Sequence, residues 1–181
     1  MMHWVIPLFK RKSIYDPANY RGIHLTSQIS KVAERVIACL AVPQLIWTEA
    51  YGRNQFAYMP ERGARHALAQ LVLTWISMFS KRRKIAMYCS DVLGAFDKVN
   101  SRRLPGKLRA RGVPDAIPVV IQSRLYERTA RVAVGGKFSR DMKISNMVYQ
   151  GTVLGPPLWN VYYADATQAK HLWISGNCIC R

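Results

Sequence analysis

Acidic side chains are scarce in this chain of 181 residues: 10 Asp and Glu stand against 27 Lys and Arg, a formal net charge of +17. A compact body with that imbalance repels itself unless a polyanion neutralises it. Nucleic acid is the partner this favours, over the alternative of an anionic membrane surface. Long apolar runs are missing too. No stretch approaches the ~20 residues that a membrane span requires, so no membrane partner is expected. The opening residues, MMHWVIPLFKRK, lack the apolar core and small-residue cleavage site of a secretory signal. Cysteine is sparse, at positions 39, 89, 178 and 180. Cys39 and Cys89 have apolar neighbours and read as small buried residues. Cys178 and Cys180 form a CxC without the paired spacing of a zinc site. No disulfide framework follows, hence no disulfide-linked partner, and an intracellular location, nucleus or cytoplasm, is expected.

What is present suffices for one folded body. Half of the residues are hydrophobic, enough for the core of a domain of this length. The basic residues are uneven: residues 98–143 hold twelve Lys and Arg and three acids, Asp115, Glu127 and Asp141. That segment is the candidate for phosphate-backbone contact; a solvated basic surface is the bland alternative.

Along the chain, residues 4–9 form a short apolar strand that runs into Lys10, Arg11 and Lys12. A polar turn around Asp16 and Pro17 leads to NYRGIHLTS, an extended basic segment. Ser27 is placed to cap a helix. Ile29, Val32, Ala33, Val36, Ile37 and Leu40 follow the spacing of one apolar face, expected to be core, and Pro43 lies near the stop. A second helix is expected over residues 64–80 with Ala67, Leu68, Leu71, Val72, Trp75, Ile76 and Phe79 inward. The basic run 81–84 then complements a helix C-terminus, a simpler account than nuclear targeting. Residues 98–111 read as a basic helix with a weak point at Pro105 and Gly106. Residues 116–126 read as another, with Ile117, Val120, Ile121 and Leu125 inward. Residues 128–134 and 142–149 alternate around Gly135 and Gly136, a β-hairpin.

The most informative stretch is residues 85–100, IAMYCSDVLGAFDKVN. Residues 85–89 have the length and composition of a buried strand, and Asp91 stands at its end. A carboxylate there needs a cation or a hydrogen-bond donor. Mg²⁺ suits it, being held by one or two carboxylates plus substrate phosphates. The alternative is a strand followed by a helix capped by Asp97 or Ser101.

CSDVLGAFDKVN resembles the first catalytic motif of reverse transcriptases, in the form found in non-LTR (LINE-like) retrotransposons. The resemblance implies that Asp91 binds the catalytic metals. Phe96 would pack under the incoming sugar and help to exclude ribonucleotides, and Asp97 would be structural. VIPLFKRKSIYDPANYRGIHLTS resembles the fingers motif of the same family, whose basic residues grip the triphosphate. Arg21 matches the family arginine, and Lys10 or Lys12 the lysine. Gly22 departs from the usual proline, which loosens the unfolded backbone there. In YGRNQFAYMPERGAR, Gln55, Phe56, Arg62 and Gly63 carry a further likeness. Arg62 and Arg65 either touch template or are exposed charges, and Lys98, Arg102 and Arg103 are candidates for nucleic-acid contact. YQGTVLGPPLWNVYYAD is similar to the family signature beside the nucleotide and template base, placing Gln150 and Gly151 there, with Tyr149 where proline is usual.

The resemblance implies an α+β fold: an incomplete fingers–palm of a right-hand polymerase, with helices packed on a small antiparallel sheet. Residues 1–165 would be a partial reverse transcriptase domain (fingers 1–84, palm part 85–165), and residues 166–181 a divergent tail. RNA template, DNA primer and dNTP are the implied partners and Mg²⁺ the implied cofactor. The third motif, an aromatic-x-Asp-Asp turn, is missing: YYAD at 162–165 falls in the helix after the signature and is followed by Ala166. A truncated, inactive polymerase fragment is therefore expected, with a basic nucleic-acid-binding remnant as the alternative.

Overall fold

The computed structural model describes residues 2–170 apart from Arg53, Tyr88 and Ser145. Residues 171–181, which hold Cys178, Cys180 and most of the divergent tail, lie outside the described residues. The chain divides into two compact units, residues 1–50 with 94–162, and residues 51–93 with 163–181.

The first unit is built on a five-stranded sheet. β1 (Met2–Phe9) and β2 (Tyr20–Leu25) form an antiparallel pair in which Pro7 lies opposite Gly22 and Leu8 opposite Arg21. A Cβ at residue 22 would stand 3.0 Å from Val5 Cγ1, so Gly22 suits a crowded point of the ladder. Asp16 caps the intervening turn by accepting from the Ala18 N–H. β3 (Arg128–Val134) lies on the other side of β1 and runs parallel to it, so the sheet is mixed. β3 also pairs antiparallel with β4 (Lys137–Phe138) and β5 (Met142–Ile144). Gly135 and Gly136, with φ of 55° and 75°, make the two-residue turn that such a hairpin requires.

α1 (Gln28–Trp47) opens at Ser27, whose hydroxyl accepts from the Ser30 N–H as expected. Its buried side is not the expected one. Ser30, Glu34, Ala38, Ala41 and Leu45 face inward, whereas Ile29, Val32, Val36 and Leu40 are exposed. Small side chains let the backbone come close, and Glu34 is tolerated inside because it is ion-paired. Pro43 is inside the helix rather than at its stop. α3 (Arg103–Ala110) and α4 (Ala116–Leu125) pack together. Pro105 and Pro118 each fall at the third helical position, where the N–H has no helical partner to lose, so Pro105 is no weak point. In α4, Ile121 and Leu125 are buried, but Val120 is exposed. α5 (Gly155–Lys170) closes the described chain. Leu45, Val99, Leu104, Leu108, Ile121, Val148, Leu158 and Val161 are fully or nearly fully buried.

The second unit carries α2 (Ala64–Ser80), with the expected bounds. Only Ala67 of this helix is buried, and Leu68, Val72, Ile76 and Phe79 are exposed, against expectation. Residues 85–89 were expected to form a strand. No described residue among them is in regular structure, and Met87, Cys89 and Asp91 are exposed. A strand needs a hydrogen-bonded neighbour, and none pairs with it among the described residues. Cys39 and Cys89 are likewise exposed free thiols rather than buried ones.

Candidate nucleotide and nucleic-acid site

In the first unit, the segment around Gln150 and Gly151 runs along the free edge of β2. The Gln150 carbonyl accepts from the His24 N–H at 3.3 Å. Gly151 adopts φ +88°, a conformation that favours glycine, and a Cβ there would lie 3.7 Å from Ile23 Cγ2. Arg21 shares its strand face with Ile23, ~7 Å along β2 at the usual rise per residue, and is exposed. Arg21, Gln150 and Gly151 are thus brought to one edge of the sheet.

Phe96 belongs to the same body. It begins a short helical turn (Phe96–Lys98). Its carbonyl accepts from the Val148 N–H at 3.0 Å, and its ring centre lies 6.3 Å from that of Trp159. The Gly155 backbone comes close beneath: a Cβ there would meet Phe96 Cε1 at 3.6 Å and the Tyr149 carbonyl oxygen at 2.6 Å. Thr152 fixes this turn, donating to the Tyr149 carbonyl and accepting from the Gly155 N–H. Partial desolvation raises the Asp97 pKa above the usual carboxylate range, and the charge of Lys10 opposes that shift. Lys10 continues the hairpin, its N–H donating to the Asn19 carbonyl. Lys12 is exposed, with φ 83°.

Behind the turn lies a buried polar cluster that no motif indicated. Tyr149, in the place of the usual proline, contacts His3 Nδ1 through its hydroxyl at 3.1 Å. His3 Nε2 meets His24 Nδ1 at 2.9 Å. The Tyr149 ring stacks on His24 with centres 4.6 Å apart.

Lys98, at the end of the Phe96–Lys98 turn, and Arg102 and Arg103, at the start of α3, are exposed, and Asn100 Oδ1 accepts from the N–H groups of Arg102 and Arg103. In the second unit, Arg62 lies 6.0 Å from the centre of the Phe56 ring, and Arg65 is exposed. Asp91 belongs to that unit and offers one exposed carboxylate. Among the described residues no three His, Cys, Asp or Glu side chains gather where they could hold an ion. A lone exposed carboxylate can supply at most one protein ligand to an ion such as Mg²⁺, which is usually held by one or two carboxylates plus substrate phosphates. YYAD lies within α5.

A family model described as "Reverse transcriptase (RNA-dependent DNA polymerase)" matches residues 9–180. The chain belongs to the reverse transcriptase family. It is similar, at 30% identity over 154 residues, to the "RNA-directed DNA polymerase from mobile element jockey" of Drosophila melanogaster, covering 85% of this chain and 17% of that protein. It is 30% identical over 156 residues to the "Probable RNA-directed DNA polymerase from transposon X-element" of the same organism, covering 84% of this chain and 17% of that protein. The chain thus spans 17% of the length of either relative. The solved structure of apo telomerase from Candida tropicalis, truncated from its C-terminal domain, matches with a TM-score of 0.59 at 14% identity. That match covers 96% of this chain and 40% of the telomerase chain, and the likeness is one of fold. An α+β reverse transcriptase domain of a LINE-like element is what the motifs at Asp91 and Gln150 implied. No helix among the described residues is long and apolar enough to cross a membrane.

Glu34, Arg124, Thr152 and the histidine pair were missed from the sequence. Only Thr152 had a local signal, a hydroxyl directly after Gln-Gly and three residues before a helix start.

Proposed function

We propose that this reverse transcriptase chain forms fingers (residues 1–84) and part of the palm (residues 85–165) of an RNA-directed DNA polymerase, acting on an RNA template, a DNA primer and dNTP. The observation that carries this reading is the seating of Gln150 and Gly151 on the β2 edge, one strand repeat from Arg21 and in one unit with Phe96. An arginine fork binds phosphate oxygens in pairs, while the lysine at 10 or 12 adds a point charge. Phe96 presents an aromatic edge to the sugar, and glycine at 151 lets backbone approach the nucleotide. Asp91 would be the residue to hold a Mg²⁺ ion, which when bound supplies charge neutralisation to phosphates. Lys98, Arg102, Arg103, Arg62 and Arg65 contact nucleic-acid phosphates.

The 181 residues contain no Asp-Asp pair, and one carboxylate cannot clamp two ions about 3.5–4 Å apart. The chain alone therefore binds without extending a primer. Primer extension on RNA with Mg²⁺ and dNTP tests this, beside salt-dependent RNA binding and dNTP titration. No incorporation is expected, together with steeply salt-dependent RNA binding and a loss of dNTP affinity of about 10-fold or more in Arg21→Ala. Incorporation that vanishes in Asp91→Ala would show the chain to be catalytically complete. Salt-dependent RNA binding without dNTP binding would leave only a basic binding module, and absence of both would defeat the reading.

A further inference from the structure

The segment just after Gly151 is held by a residue that lies far away in the sequence. Glu34, the sole acid of α1, is 3% exposed. One of its carboxylate oxygens accepts from Arg124 Nη2 at 2.6 Å, and the same nitrogen donates to Ser30 Oγ at 3.0 Å. The other oxygen accepts from the Val153 N–H at 3.1 Å, bridging 119 positions of sequence. Glu34, Arg124, Tyr149, Thr152 and Gly155 border a cavity of about 30 Å³, room for about one water. Among the described residues the backbone from Gln150 to Gly155 is tied at the His24 N–H on Gln150, the Thr152 hydroxyl within the turn, and Glu34 on Val153, beside the Tyr149 side chain on His3. Of the groups that bond this backbone among the described residues, Glu34 is the charged one, and it is itself held by Arg124 of α4.

We propose that Glu34 is a positioning residue for the turn carrying Gln150 and Gly151. Arg124 orients its carboxylate, and the carboxylate sets where the Val153 N–H, and with it the preceding two residues, stands against β2. The inference deepens, and rests on, the reading of this turn as facing the nucleotide. The alternative is that the ion pair only ties α1 to α4. The two differ in what a substitution does. A buried ion pair can often be replaced by apolar side chains with little loss of stability, but no apolar side chain can accept the Val153 N–H.

Glu34→Gln, Glu34→Met and the double variant Glu34→Leu/Arg124→Leu separate them. Three readouts are needed: urea midpoint, NMR amide exchange at Val153, and dATP affinity in the presence of Mg²⁺. Glu34→Gln and Glu34→Met both leave Arg124 without its anion, yet only glutamine keeps an acceptor. The positioning role requires Val153 exchange to quicken at least 10-fold more in Glu34→Met than in Glu34→Gln. It requires the double variant to show the same fast exchange at a urea midpoint near that of the parent, with dATP affinity reduced about 5-fold or more. Equal Val153 exchange in the Gln and Met variants, or parental exchange in the double variant, overturns it. If the double variant does not fold, the Gln and Met comparison decides. If the parent binds no dATP, the nucleotide reading fails by itself, and the exchange comparison still decides whether Glu34 sets the turn.

Discussion

The guanidinium carbon of Arg128 lies 4.4 Å from the centre of the Tyr149 ring, and Arg128 is 1% exposed. Its Nη2 donates to the Met147 carbonyl, but Nε and Nη1 have no hydrogen-bond partner among the described residues. Burial disfavours the cation, and Tyr149 opposes that effect. A buried charge without an anion contributes little net stability. Arg128→Met is therefore expected to change stability by less than about 1 kcal/mol, or to raise it, while Arg128→Ala loses about 2–4 kcal/mol through the cavity it leaves. Urea denaturation measures both. A methionine variant as unstable as the alanine one would show that the cation is held by more than the Met147 carbonyl and the face of Tyr149.

The same cluster makes stability pH-dependent. Desolvation lowers the pKa of His3 to about 4, with Arg128 adding to it. His24 also falls to about 4, again by desolvation first, then through His3 and Arg128. Neutral rings can donate and accept in turn along His24, His3 and Tyr149; protonated rings cannot. Both folded values lie below the ordinary 6.5, so this stability is whole above pH 6.5 and is lost as the pH falls toward 4. The first proton is expected to cost on the order of 3 kcal/mol. Comparing urea midpoints at pH 7.5 and 4.5 in the parent and in His3→Gln/His24→Gln cancels the carboxylate contribution. An identical pH slope in the two proteins would rule this out.

Two glycines should respond oppositely to alanine. At Gly155 a Cβ would stand 2.6 Å from the Tyr149 carbonyl oxygen and 3.2 Å from Thr152 Oγ1, whereas at Gly106, inside α3, nothing lies within 4 Å. Gly155→Ala is expected to destabilise by about 2 kcal/mol or more, as overpacking against backbone does. Gly106→Ala should stabilise by about 0.5–1 kcal/mol. Thermal unfolding checks the pair, and a harmless Gly155→Ala would mean that the turn is looser than its hydrogen bonds indicate.

The outward stripe of α1 is the liability for handling the protein. Ile29 is 83% and Leu40 63% exposed, and Met2, Trp4, Ile6 and Leu8 are exposed on the open face of the sheet. One sheet edge is short, since β4 has two residues and β5 three, whereas β2 at the other edge has six. Poor solubility without nucleic acid is expected. Ile29→Glu/Leu40→Lys should leave the urea midpoint within about 0.5 kcal/mol of the parent per site and raise the soluble yield. A loss above 2 kcal/mol would show this face to be buried in solution.

Element positions were largely readable. Ser27, the bounds of α2, the paired glycines at 135 and 136 and the strand before them follow from local chemistry, whereas the expected strand over 142–149 is strand only at Met142–Ile144, and Lys137–Phe138 takes the place directly after the turn. Which side of a helix lies inside was not. In α1 the apolar stripe is outside and a Ser, Glu, Ala, Ala and Leu row is inside, because an ion pair with Arg124 makes a buried Glu34 acceptable.

The motifs at Asp91, Arg21 and Gln150 alone were enough to indicate the family, because each is a short run of residue types at close spacing that is legible without the fold. Local sequence likewise specified turns and caps, which involve neighbours within a few positions. Tertiary structure decided the rest. It paired β1 with β3 in parallel, left residues 85–89 without a strand partner among the described residues, and set Glu34, 119 positions away, on the Val153 amide. Those choices depend on which polar groups find partners once water is excluded, and such partners are neighbours in space alone.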